Sequence, residues 1–276
     1  MTLGEVLAAS TDYLSRKGID SPRLDAELIL ARALDMSRLQ LYTSFDRPLT
    51  EAERAAARPL VERRGAREPL AYILGDWGFR RLVLRTDARA LVPRPETEIV
   101  VERALAAIAG LDAPRVVDVG TGSGAIALAI ADEHPGAHVL ATDVSRDALS
   151  LTRENAEHLG IEIELVVADL LEGVEGPFDL VVSNPPYVTE AELPGLQPEV
   201  RDWEPRAALV GDLAVPLAAA AREVIGPEGA IVLESHEEHA RLLALQLREL
   251  GYEEVRVTPD LAGRERVVEG RWRSTP

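Results

Sequence analysis

The sequence predicts an α/β chain: a small helical bundle, a β-hairpin linker, then a seven-stranded and mostly parallel sheet covered by helices on both faces. Three observations carry that reading. The first 75 residues show helical spacing and capping signals but no strand-like alternation. From Arg115 onward, short apolar runs alternate with helical segments, as parallel strands joined by crossover helices do. A glycine-rich junction, Val116-Val117-Asp118-Val119-Gly120-Thr121-Gly122-Ser123-Gly124, joins the first of those strands to the first of those helices.

The helical part, residues 1–75, begins with a capping box, Thr2 with Glu5, and Gly18 lies near the exit of that helix. Ser21-Pro22 is an N-cap followed by proline at the first helical position, and Leu24, Leu28, Ala31 and Leu34 recur at helical spacing behind it. Thr50 with Glu53 is a second capping box; Pro59 falls inside the helix it opens and predicts a kink or break there. Pro69 restarts a short helix that Gly75 ends. No catalytic constellation appears in this part, so it reads as a recognition or packing module.

At Trp77 the pattern changes. Phe79, Leu82, Val83 and Leu84, then Ala90-Leu91-Val92, predict a linking hairpin over residues 76–92 with its turn around Asp87. A helix opens at Pro93-Arg94-Pro95-Glu96-Thr97-Glu98 and runs to about Ala109. Ten arginines between Arg54 and Arg94 make this region locally basic: solvated faces and salt bridges, or together a docking surface for an acidic partner. In the last part, residues 93–276, strands are predicted at 115–119, 138–142, 163–168, 177–183, 230–234, 252–258 and 265–269. Helices are predicted at 123–133, 145–158, 214–225 and 237–250. Ser145 is a natural N-cap, and Gly160, Gly226 and Gly251 sit at expected helix exits. The last two strands leave no room for a helix between them and predict an antiparallel hairpin at one sheet edge.

Composition narrows the function. Formal charge is 30 − 47 = −17, which repels a phosphate backbone unless a local basic face intervenes. There is no cysteine, the five histidines are scattered without metal-ligand spacing, and no run approaches membrane-spanning length. The expectation is a soluble, cytoplasmic protein with no metal, no disulfide and no direct nucleic-acid binding.

Two motifs carry chemistry. In the first, Gly120, Gly122 and Gly124 let the backbone take positive φ and approach a ligand, and the N–H groups of the helix start, with Thr121 and Ser123 between the glycines, face it. Asp143 lies 19 residues past Gly124 at the end of the next strand, where an acid accepts both hydroxyls of a ribose. Asp169 ends the third strand, placed to accept from an adenine amino group, with Leu170 beside it as an apolar contact. Gly120-x-Gly122-x-x-Ala125 also satisfies a dinucleotide fingerprint.

The second motif is Phe178-Asp179-Leu180-Val181-Val182-Ser183-Asn184-Pro185-Pro186-Tyr187. An apolar strand ends in two prolines that cannot continue a ladder, leaving Ser183 and Asn184 at its carboxyl end. Asn184 offers an amide acceptor, the Pro185 carbonyl a second, and Tyr187 a flat aromatic face. Two acceptors and a plane suit a planar –NH2 group on an amide or a nucleobase, and no hydride transfer needs such a corner.

With both motifs in place the sequence resembles a class I S-adenosylmethionine-dependent methyltransferase with a Rossmann-like domain, and more narrowly the release-factor glutamine N5-methyltransferases of the PrmC/HemK family. The resemblance covers nearly the whole chain. It rests on Arg67-Glu68-Pro69-Leu70-Ala71-Tyr72-Ile73-Leu74-Gly75, Val92-Pro93-Arg94-Pro95-Glu96-Thr97-Glu98, Asn184-Pro185-Pro186-Tyr187, Glu204-Pro205-Arg206-Ala207-Ala208-Leu209 and the closing Asp260-to-Val268 segment. The chain departs from the family at Leu170, where many members have an aromatic residue, and in the shortened Val210-Gly211-Asp212-Leu213.

The resemblance implies S-adenosylmethionine as cofactor, held by Gly120, Thr121, Gly122, Ser123, Gly124, Asp143, Asp169, Leu170 and Asn184. It implies the glutamine of the Gly-Gly-Gln motif in class I peptide chain release factors as substrate, bound at Asn184, Pro185, Pro186 and Tyr187 by a monomer, with Asn184, Pro185 and Tyr187 catalytic. Three alternatives remain at this level: an amino-methyltransferase for a nucleic-acid base, one for a ribosomal-protein glutamine, and a non-enzymatic S-adenosylmethionine-binding scaffold.

Overall fold

The computed structural model describes residues 1–273; residues 274–276, the end of the last predicted domain, lie outside the described residues. The chain falls into two compact units. One is Met1–Asp76 together with Gln197–Trp203; the other is Trp77–Leu196 and the chain from Glu204 onward.

The first unit holds α1 (Leu3–Arg16), α2 (Pro22–Ala33), α3 (Arg38–Tyr42), α4 (Glu51–Gly65) and α5 (Leu70–Leu74). Both predicted capping boxes form, on Thr2 and Thr50. Ser21 precedes Pro22 as expected but makes no side-chain cap bond. A third box, Ser37 with Gln40, opens the short α3 that the sequence reading passed over. Pro59 does not break α4. The proline and Ala55, the residue whose carbonyl it cannot bond, both lie on the exposed face, where water replaces the missing donor.

Leu3, Leu7, Leu14, Ile29, Leu30 and Leu41 form the core of this unit. The later segment α9 (Pro198–Trp203) packs into it through charge. The Arg64 guanidinium, 8% exposed, donates to Asp25 at 2.6 Å and to Glu199 at 2.8 Å, and Arg67 donates to Glu199 at 2.5 Å.

The second unit opens with a two-stranded hairpin, β1 (Asp76–Phe79) and β2 (Leu82–Arg85). Its turn falls at residues 80–81, with Arg80 at φ 51°, and not around Asp87. Residues 90–92 form no strand; Ala90 and Val92 are apolar because they are buried beside a cavity described below. The basic stretch is largely neutralised within the chain: Arg54 pairs with Glu51, Arg63 with Glu68, Arg80 with Glu133, Arg89 with Asp87 and Glu154, and Arg94 with Glu204.

The helix α6 (Thr97–Ile108) leads into the sheet. Its strands and helices follow as β3 (Arg115–Val119), α7 (Ala125–Glu133), β4 (His138–Asp143), α8 (Arg146–Leu159), β5 (Glu164–Val167) and β6 (Phe178–Ser183). After α9 come α10 (Arg206–Leu209), α11 (Ala214–Ala221), β7 (Ile225–Glu234), α12 (Ala240–Glu249), β8 (Glu253–Pro259) and β9 (Glu265–Arg271). Every predicted strand of this part and every predicted crossover helix is present within a few residues of its expected bounds, apart from an earlier start to β7. Gly226 is the exception among the expected helix exits: α11 stops at Ala221, and Gly226 lies inside β7, where a Cβ would meet Pro177 at 3.2 Å.

The strand order is β5-β4-β3-β6-β7-β9-β8, with β9 antiparallel to both β7 and β8 at one end. The order reverses between β3 and β6, so the carboxyl ends of these strands face one crevice. Two apolar layers, one on each face, bury the runs Leu180–Val182 and Ile231–Leu233 completely.

Candidate active site

The glycine-rich loop is held from behind. Asp118, fully buried at the end of β3, accepts from the Thr121 hydroxyl at 2.6 Å and from the Ala127 backbone at 3.2 Å. Burial pushes its carboxyl up to about 7 against those two hydrogen bonds, and the nearby Asp143 adds to the rise. The Thr152 hydroxyl donates to the Gly122 carbonyl at 2.9 Å, and the Asn155 amide donates to the Ser123 carbonyl at 2.9 Å.

All three glycines have positive φ, but for different ends. A Cβ on Gly120 would meet nothing within 4 Å, which leaves an open cradle. A Cβ on Gly124 would lie 2.8 Å from Thr152 Cγ2, so this glycine serves helix packing.

Above the loop lies a cavity of about 220 Å³. Its lining brings together Gly120, Thr121, Gly122, Ser123, Asp143, Asp169, Leu170, Asn184, Pro185 and Pro186, all expected from the sequence. Gly124 and Tyr187 stand outside that lining. Arg89 to Arg94, Thr97 and Leu217 also line it, and none of these was singled out as a site residue by the sequence.

Asp143 at the end of β4 is doubly anchored. One carboxylate oxygen accepts from the Gly122 backbone at 3.0 Å and the other from the Ser145 backbone at 2.8 Å. A carboxylate has about four acceptor sites, so each oxygen keeps one for a ligand hydroxyl. Open glycine cradle, free acceptors on Asp143 and the exposed Asp169 with half-buried Leu170 fit a nucleoside-bearing cofactor in chemistry and in order. No group of acidic or histidine side chains among the described residues is arranged to hold a metal.

Asn184 follows directly on β6 and lines the cavity. The Ser183 hydroxyl donates to the Val119 carbonyl at 2.6 Å, which ties the end of β6 to the end of β3. The Asn184 Nδ2 donates to Thr97 Oγ1 at 3.3 Å, and among the described residues none donates to its Oδ1. Tyr187, largely buried, turns its hydroxyl to Glu234 Oε1 at 3.4 Å; burial first, and the Glu234 charge second, raise its pKa.

Two residues at this corner were not identified from the sequence. Thr97 lies within the Val92-to-Glu98 signature, but nothing in the sequence gave it a partner. Glu234 is 2% exposed, accepts from the Thr97 hydroxyl at 2.7 Å, and has its carboxyl pushed up to about 7 by burial. Its signal was its place: β6 and β7 run parallel with Ser183 opposite Leu233, so Asn184 and Glu234 are the next residues at adjacent strand ends.

Residues 5–75 match the PrmC N-terminal domain and residues 97–195 the methyltransferase small domain. The chain is 43% identical to a release factor glutamine methyltransferase from Deinococcus radiodurans, across 98% of this chain and 99% of that protein. It is 40% identical to a release factor glutamine methyltransferase from Geobacter sulfurreducens, across 98% of this chain and 96% of that one. A solved structure of a 16S rRNA N2 G1207 methyltransferase from T. thermophilus, in complex with AdoMet and guanosine, shares the fold, with a TM-score of 0.54 and 18% identity. That match covers 72% of this chain and 50% of the other.

Proposed function

The chain belongs to the release factor glutamine methyltransferase family, and from that premise we propose that it methylates the side-chain amide nitrogen of the Gly-Gly-Gln glutamine in class I peptide chain release factors. S-adenosylmethionine, bound at the glycine cradle, supplies a methyl group on a cationic sulfur.

The observation that carries the reading is the Asn184 carboxamide at the cavity: its N–H2 is turned onto Thr97, which leaves Oδ1 as an acceptor. A glutamine side-chain nitrogen is a poor nucleophile because its lone pair is delocalised into the carbonyl. Asn184 Oδ1 accepts one of its hydrogens and the Pro185 carbonyl accepts the other. That grip turns the lone pair out of conjugation and toward the methyl, which is catalysis by orientation. As positive charge develops on nitrogen, both acceptors hold it more strongly than they held the ground state. Once methylated, the nitrogen carries a positive charge and both of its original hydrogens, and it is acidic enough to lose one of them to solvent, so no strong base is needed. Asp143 would hold the ribose, and Asp169 with Leu170 the adenine.

Residues 1–75 bind the release factor at a distance from the glutamine, so that remote binding energy positions the reacting group. The enzyme acts as a monomer in the cytoplasm and does not bind nucleic acid directly; the formal charge of −17 supports the last point. No helix among the described residues is long and apolar enough to cross a membrane.

The test incubates the purified protein with methyl-labelled S-adenosylmethionine, intact release factor, ribosomal proteins and tRNA, then locates the label by fragment mass spectrometry. Label on the Gly-Gly-Gln glutamine is expected. Label on a nucleobase or on a ribosomal-protein glutamine, or none at all, would overturn the reading.

A further inference from the structure

Four side chains from three stretches of sequence form one hydrogen-bonded chain at the cavity, which Asn184 and Thr97 line. Asn184 Nδ2 donates to Thr97 Oγ1 at 3.3 Å, the Thr97 hydroxyl donates to Glu234 Oε2 at 2.7 Å, and the Tyr187 hydroxyl donates to Glu234 Oε1 at 3.4 Å. The direction of the chain matters. A hydroxyl has one proton, and once Thr97 gives it to Glu234 only lone pairs remain for Asn184. Asn184 must then meet Thr97 with its N–H2. The two ends of a carboxamide are nearly alike in shape, so partners and not packing decide which one faces the substrate.

We infer that Glu234 is a positioning residue: acting through Thr97, it sets the Asn184 carboxamide with its oxygen toward the substrate amide, and its second oxygen holds the Tyr187 hydroxyl. The inference rests on the role of Asn184 proposed above. Asn155 and Ser183, also buried polar residues of this unit, bond to backbone and make no such relay.

The relay works with Glu234 ionised. The groups facing it are Glu96 and Thr97 at the start of α6, Arg266 on β9 and Tyr187 after β6, with Arg94 near the tyrosine. Burial pushes the Glu234 carboxyl up to about 7, Glu96 pushes the same way, and Arg266 and the Thr97 hydrogen bond oppose them. A neutral Glu234 can donate to Thr97. The Thr97 proton is then free to turn toward Asn184 and draws Oδ1 inward, away from the substrate. Turnover should therefore rise with pH through about 7, as the carboxyl ionises and the productive orientation is restored.

The experiment measures single-turnover methyl transfer to intact release factor from pH 6 to pH 8, with S-adenosylmethionine affinity by calorimetry in parallel. The variants are Glu234→Leu, which leaves Thr97 no acceptor, Thr97→Val, the double variant, Thr97→Ser and Asn184→Ala. Glu234→Leu and Thr97→Val should each slow transfer by about tenfold or more, the scale for losing a residue that orients a reacting group. Cofactor affinity should be unchanged, the double variant no slower than the slower single, Thr97→Ser close to wild type, and the pH rise absent in Glu234→Leu. A wild-type rate or a retained pH rise in Glu234→Leu, additive losses in the double variant, or a loss of cofactor affinity matching the loss of rate would each overturn the inference. If Asn184→Ala is inactive while Glu234→Leu and Thr97→Val are not slowed, only the relay fails. If Asn184→Ala transfers at the wild-type rate, the reading of the site itself fails.

Discussion

Asp143→Ala probes the cofactor site at its most heavily used side chain. Both carboxylate oxygens already carry a backbone donor, Gly122 N–H at 3.0 Å and Ser145 N–H at 2.8 Å. The remaining acceptor sites are the ones assigned to the two ribose hydroxyls. Hydrogen bonds to a charged group contribute roughly 1.5–3 kcal/mol each, and the alanine variant regains water in place of the ribose contacts. A net loss of roughly 1.5–3 kcal/mol in S-adenosylmethionine binding is expected, about 10- to 150-fold in Kd. Loosening of the Gly122 turn adds to that loss. Asp143→Asn is a sharper companion: its single carbonyl oxygen cannot accept from both backbone donors, so its N–H2 must face one of them. It should bind the cofactor less well than wild type although its shape is the same. Calorimetric titration checks both variants, after circular dichroism has shown that they are folded. Unchanged cofactor affinity in a folded Asp143→Ala would refute the assignment of the β4 end as the ribose site. Titration of the wild type with NAD should show no binding, and tight binding would restore a dehydrogenase reading of the glycine loop.

The remaining predictions concern stability as well as the site. Gly124→Ala places a Cβ 2.8 Å from Thr152 Cγ2 at a φ of 84°, and should cost about 1–3 kcal/mol in urea unfolding; a variant as stable as wild type would show that the loop relaxes freely. Glu199→Ala strips one of the two carboxylates from the buried Arg64 and a carboxylate partner from Arg67, and should destabilise the helical unit by about 3 kcal/mol, read as a lower Tm. Asp118 has its carboxyl raised to about 7 from an ordinary 3.8, so between those values the native chain keeps a proton that the unfolded chain has lost. Its contribution to stability therefore falls as pH rises through that window and levels off above about 7. The Tm of Asp118→Asn relative to wild type, without cofactor, should accordingly be more favourable at pH 8 than at pH 5; an unchanged or reversed difference would mean that Asp118 ionises freely.

Local signals in the sequence were enough for most of the fold. Capping boxes at Thr2 and Thr50 act within one turn, and apolar runs such as Leu180–Val182 mark a strand buried on both faces wherever it ends up. The glycine loop, Asp143 and the Asn184-Pro185-Pro186-Tyr187 corner were legible because their chemistry belongs to strand ends, and strand ends can be read in order along the chain.

What tertiary structure alone decided is what depends on partners distant in sequence. The hairpin turn fell at Arg80 because that residue accepts positive φ without being glycine or asparagine, so nothing local marked it. Glu199 carries no local signal of a partner, yet across 135 residues it meets Arg64 in the helical unit. Thr97 and Glu234 lie 137 residues apart and face each other at 2.7 Å only because α6 begins at the corner where β6 and β7 end. A residue's type says what it can donate or accept. Which group receives it, and therefore which way Asn184 turns, is settled by the packing of three elements that the chain visits at different times.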